Sequence, residues 1–184
     1  MIENLKCEPL EWHRRNHMAM RVVDTSANLR IHQLLEKHEA LICESMAELM
    51  TGKEGQHLYP TYQQLSPEER AWNYRVAVRH LLDSVRTRDK TVYGSFCRDL
   101  AELRLAQGFY REEVREALQS FQDVCLSILH ADDEAAGLEQ EIENHILMTM
   151  LYGCDQIEEA FDRLTKKRPK KKEQVVPRRT TFGA

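Results

Sequence analysis

The chain has 184 residues, with 26 Lys and Arg set against 30 Asp and Glu for a formal net charge of −4. Five prolines and seven glycines are too few for a collagenous or loop-rich protein, and the length is enough for one domain with a sizeable core. The longest apolar run, Ile146 to Cys154, is half of what a bilayer span of about 18 residues needs, so the sequence predicts no membrane crossing.

The charge is divided unevenly. From Thr165 to the end there are eight Lys or Arg and one Glu, so the tail carries +7 and the remainder −11. An acidic body bears a basic tail.

Residues 1–24 open with Glu3, Lys6, Cys7, Glu8 and Glu11, without the basic-then-apolar order of a secretory signal, which predicts a cytoplasmic protein. Trp12, Met18, Met20, Val22 and Val23 follow no single clean period and are read as an N-terminal arm, helical in part and packed on a partner subunit. Residues 25–164 are read as one helical domain.

A first helix is expected over about 28–50, because Ile31, Leu34, Leu35, His38, Leu41, Ile42, Met46 and Leu49 repeat at intervals of three and four and form one apolar stripe. Asp24, Thr25 and Ser26 are its candidate N-caps. The following TGKEGQHLYPTYQQL holds turn formers, a proline and no helical period, which predicts the longest loop of the domain.

The second helix starts sharply at Ser66-Pro67-Glu68-Glu69: Ser66 caps, Pro67 suits the first helical position and Glu69 closes a capping box. It is expected to run to about Arg88 with Trp72, Val76, Leu81, Leu82 and Val85 buried. The third, over about 91–107, is expected to bury Phe96, Leu100 and Leu103. It stops at Gly108, which can adopt the left-handed conformation of a helix C-terminus, with Phe109 plugging the corner.

The fourth helix, over about 111–130, places Glu112 and Glu113 in its first turn, favourable to the helix dipole, and points Val114, Leu118, Phe121, Cys125 and Ile128 inward. The fifth, over about 134–165, has a core stripe of Leu138, Ile142, Ile146, Met150, Gly153, Ile157, Phe161 and Leu164. Beside that stripe lie Leu147, Leu151 and Cys154, so its centre must be covered from two sides, which predicts a homodimer through these residues.

The last segment, 165–184, combines like charge and two prolines with almost nothing apolar to bury, so it is expected to be disordered. Lys166, Lys167, Arg168, Lys170, Lys171 and Lys172 form a docking strip for nucleic acid, an anionic surface or an acidic partner.

Catalytic and cofactor chemistry is not signalled. GxGxxG, GxxxxGKT, GxSxG and HExxH are all missing. A di-iron bundle needs Glu three residues before an inward His, but Ile142 precedes His145 and Leu35 precedes His38. No haem signature surrounds His80 or His145, and CxxCH is missing. The five cysteines are odd in number and widely spaced, which argues for packing and against a disulfide framework. No catalytic residue, metal ligand or cofactor is therefore assigned. An interior apolar pocket near Trp72, His80, His145 and Met150 is kept as a ligand-binding alternative.

The run from Tyr59 to Leu129 carries Tyr59-Pro60, the Leu65-to-Glu69 helix entry, Leu81-Leu82, the short Thr87-Arg88-Asp89 link and RLAQGFYREEV over 104–114. In order and spacing these features resemble the N-terminal sensory domain of RsbR-type stressosome proteins, a module also found ahead of some bacterial histidine kinases. The resemblance implies a haem-free, globin-like bundle of about five helices that dimerises and receives a signal without catalysing a reaction.

With no output domain after Leu164, the expectation is a non-enzymatic signalling or adaptor protein acting through contacts with another chain. The alternatives are a helical sensor of a small ligand or cofactor, and a nucleic-acid accessory protein using the basic tail.

Overall fold

The computed structural model describes residues 25–167, with side chains described for residues 27–166. The N-terminal arm, the cap candidate Asp24 and the tail from Arg168 onward, including Lys170, Lys171 and Lys172, lie outside the described residues. Among the described residues the chain is all helical: α1 Thr25–Lys37, α2 Glu39–Thr51, α3 Lys53–Leu58, α4 Pro67–Thr87, α5 Lys90–Ala106, α6 Arg111–His130 and α7 Glu139–Lys167. Short 3-10 turns occur at Tyr62–Gln64 and Asp133–Ala135. No helix here is long and apolar enough to cross a membrane.

Local chemistry accounts for the sharpest boundaries. The Ser66 hydroxyl accepts from Glu69 N at 3.1 Å while Ser66 N donates to Glu69 Oε2 at 2.8 Å, with Pro67 in the first turn. This is the expected capping box. Gly108 adopts φ +87°, and Phe109 N returns to Arg104 O at 2.9 Å, so α5 ends where the glycine allows it. Phe109 is buried in the corner, as read from the sequence.

Four sequence expectations are corrected. The single first helix is two, separated at His38, whose backbone leaves the helical region (φ −101°, ψ 5°) while its ring is held by Asp132 at 2.6 Å. The stripe survives the break, except that Leu41 and Leu49 are exposed.

The expected long loop contains α3 and a 3-10 turn. Tyr59, Tyr62 and Leu65 are buried, and Gln56 and Gln63 donate to the end carbonyls of α2, Thr51 O and Met50 O. These contacts supply an order that the segment's own composition does not.

The last helix starts at Glu139 and not near Glu134, because Gly137 at φ +78° interrupts the chain after the 3-10 turn. It also continues through Thr165, Lys166 and Lys167, so these residues are helical and not part of a disordered tail.

In α4 Leu81, Leu82 and Val85 are buried as expected, but the start of its buried face, and the buried face of α5, differ from those expected. α4 buries Tyr74, Val78, Leu81, Leu82 and Val85, leaving Trp72 57% exposed; two residues from Tyr74 is about 200° around a helix. α5 buries Tyr93, Cys97, Ala101 and Arg104, with Leu103 exposed.

α7 is the spine. It lies along α5 and α6, and α4 packs on α1, α2 and α5. The close approach of α7 depends on Gly153, where a Cβ would fall 2.8 Å from Cys97 Sγ. Its buried stripe of Ile142, Ile146, Met150, Gly153, Ile157 and Phe161, with Leu138 just before the helix, matches the sequence reading, and Leu164 is half-buried.

One polar clamp ties α1 and α2 to the turn before α7. Asp132 accepts from Lys37 Nζ at 2.7 Å and Glu134 N at 2.8 Å, besides its contact with His38. The Lys37 and His38 side chains and the Glu134 amide hold its carboxyl well below the usual carboxylate range. A carboxylate depressed in the folded state adds stability above its unfolded pKa of about 3.9 and loses it as pH falls below that value. The urea midpoint of the wild type is therefore expected to fall more steeply below about pH 4 than that of Asp132→Asn. Parallel pH dependences would remove the clamp from the acid response.

Candidate ligand cavity

The stretch that carries the resemblance builds the polar centre of the fold. Arg104, in the last turn of α5, continues the buried stripe Tyr93, Cys97, Ala101 at helical spacing and is only 1% exposed. Its guanidinium carbon lies 4.7 Å from the Phe109 ring centre and 5.3 Å from that of Tyr62. Tyr62 and Phe109 meet edge to face with centroids 4.8 Å apart. A cation held against two aromatic rings recovers part of its lost hydration.

Glu113 is brought to the same place from α6. Its Oε1 accepts from Thr61 N at 2.7 Å and Tyr62 N at 3.2 Å, so the carboxylate ties the α3–α4 connection to the start of α6. Glu113 lies in the first turn of α6, as read from the sequence, and is buried there. Nearby, the Tyr59 hydroxyl and Ser120 Oγ are hydrogen-bonded at 2.6 Å.

Between α2, α4, α5 and α6 lies a cavity of about 50 Å³. Its walls are Met46 and Met50 of α2; Asn73, Tyr74 and Ala77 of α4; Phe96, Leu100 and Arg104 of α5; and Val114, Ala117, Leu118 and Phe121 of α6, with Tyr62 beneath. Arg104 Nη1 donates to Gln107 Oε1 at 2.6 Å, but its Nε and Nη2 are buried without a partner. The Tyr74 hydroxyl is likewise buried and unpartnered, and burial pushes its pKa up to about 12, so it remains a donor at neutral pH. The cavity is apolar, and two of its lining residues, Arg104 and Tyr74, carry unused hydrogen-bond donors.

None of the four residues assigned to a pocket from sequence lines this cavity. Trp72 is exposed on the outside of α4. His80 stacks on Phe96 with ring centres 4.8 Å apart. His145 is half-buried in a groove with Ser84, Asp89 and Met148, and its pKa is lowered by burial and by Arg88. Met150 is a core residue. Arg104, Tyr74 and Glu113 were missed; the signal for Arg104 was a basic residue in step with Cys97 and Ala101 on a buried stripe.

Of the predicted interface, Leu151 is 58% exposed and Leu147 and Cys154 are half-buried; Met148, not assigned from sequence, is 53% exposed beside them. Lys166 is exposed and lies 3.6 Å from Asp162. Cys97 and Cys125 are buried thiols whose pKa values burial raises. Among the described residues no group of three His, Cys, Asp or Glu is placed to hold a metal ion. Comparison with protein-family models, curated proteins and solved structures found no match.

Proposed function

We propose that the chain is a non-enzymatic signalling or adaptor module, a cytoplasmic sensory-type domain of globin-like arrangement that works through protein–protein contacts and self-associates through α7. The observation that carries this reading is the apolar patch at the middle of α7. One side of the helix fills the core, while Met148 and Leu151, three residues apart and thus neighbours on the helix surface, face outward with more than half their surface open. Leu147 and Cys154 flank them. Covering such a patch with its own copy removes apolar surface from water at roughly 25 cal/mol per Å².

The test is the solution mass of the full chain by light scattering. The wild type is expected at twice the chain mass. Met148→Glu with Leu151→Glu is expected to bring it to one chain mass with the helical circular dichroism unchanged, since both side chains are outside the core. A monomeric wild type would rule out self-association through α7.

The reading as a small-ligand sensor is favoured by a separate observation, the unpartnered donors of Arg104 and Tyr74, which line the cavity between α2, α4, α5 and α6. The two are compatible, because α5, which supplies Arg104 to the cavity, also packs along α7.

A further inference from the structure

A guanidinium removed from water is costly unless its N–H groups find acceptors. Arg104 satisfies Nη1 through Gln107 and packs against Tyr62 and Phe109, which leaves the edge formed by Nε and Nη2 without a partner. That edge carries two parallel N–H groups, the arrangement that takes both oxygens of one carboxylate. Arg104 and Tyr74 are both lining residues of the cavity; its accessible wall is almost entirely hydrocarbon, and the unused Arg104 Nε and Nη2 and Tyr74 hydroxyl are buried behind that wall. At roughly 10 to 15 Å³ for each water-sized occupant, about 50 Å³ holds a solute of about four heavy atoms.

We propose that this cavity binds a short aliphatic carboxylate of about two carbons as the ligand of a sensory site, with the three- and four-carbon acids as tests of its size limit. Its oxygens pair with Nε and Nη2 of Arg104 and accept from the Tyr74 hydroxyl, and its alkyl end packs on Met46, Leu118 and Phe121. The charged groups around this centre besides Arg104 are Glu69, which feels the Arg104 charge, Arg70, which acts on Tyr74, and Glu113, which acts on Tyr62. Glu113 does not line the cavity, its Oε1 is engaged by the amides of Thr61 and Tyr62, and its Oε2 is unpartnered. The site deepens the ligand-sensing reading and stands apart from α7 association, since solution mass reports one and ligand titration the other.

The experiment is isothermal titration calorimetry of the full chain with sodium acetate, propionate and butyrate, against sodium chloride at equal ionic strength. Saturable binding of at least one carboxylate at one site per chain, with none for chloride, is expected. Arg104→Met, checked for folding by circular dichroism, should weaken binding at least about tenfold. Ala117→Leu fills the cavity while leaving Arg104 in place and should do the same. Tyr74→Phe should weaken binding severalfold. If Arg104→Met fails to fold, Ala117→Leu and Tyr74→Phe carry the comparison. Absence of saturable binding for all three acids overturns the proposal, as does carboxylate affinity unchanged in Ala117→Leu or matched by chloride.

Discussion

Replacing Phe121 with Ala is expected to lower the unfolding free energy by about 3 to 5 kcal/mol, with the urea m-value unchanged. Phe121 is 3% exposed and sits on the buried stripe of α6 between Leu118 and Cys125. Two terms add: the lost transfer of an aromatic ring from water, and the void left where it stood. Phe121 already borders the cavity between the helices, so the new space merges with the old and the surrounding helices can close it less readily. Larger cavities cost more, by about 24 cal/mol for each added Å³. A loss below about 1 kcal/mol would mean that α2, α4 and α6 can collapse onto the hole, and that the cavity is not held open by the packing around it.

Glu113→Ala is expected to cost about 3 kcal/mol although the only hydrocarbon it deletes is one methylene. The Thr61 and Tyr62 amides that donate to Glu113 belong to buried residues, so water does not easily replace the carboxylate. A buried amide left without an acceptor costs about 1 to 3 kcal/mol, and two such amides lose the carboxylate here. Glu113→Gln keeps an acceptor oxygen and should cost less than half as much. Hydrogen exchange locates the effect, because the amides of Thr61 and Tyr62 should exchange faster in Glu113→Ala alone. Equal stability of the Ala and Gln variants would show that the amide bonds are not what Glu113 contributes.

Sequence and structure diverge in an orderly way. Helical class, the Ser66 cap, the Gly108 stop and the core stripe of the last helix were all legible, because each depends on residues within a turn or two of one another. The placement of Trp72 was not. Apolar character alone put it inside, whereas the neighbours of α4 decided which face was covered, and that face runs through Tyr74, Val78 and Leu81. Leu103 and Arg104 show the same effect in reverse: the apolar residue is exposed and the charged one buried. The order of the segment after α2 was illegible for a related reason, since Tyr59 and Tyr62 are held by Ser120 and Glu113, more than 50 positions away.

By itself, then, the sequence determined that the described residues are all helical, where their best-capped helices begin and end, and that the centre of α7 has more apolar surface than its core needs. These are consequences of backbone hydrogen bonding and periodicity, which act over a few residues. Only the tertiary structure decided that Arg104 and Glu113 would be drawn inside, that the Arg104 guanidinium would lie against Tyr62 and Phe109, and that a cavity with unused donors would remain between four helices. The cost of burying a charge depends on which distant groups meet it, and those are assembled only when the helices pack.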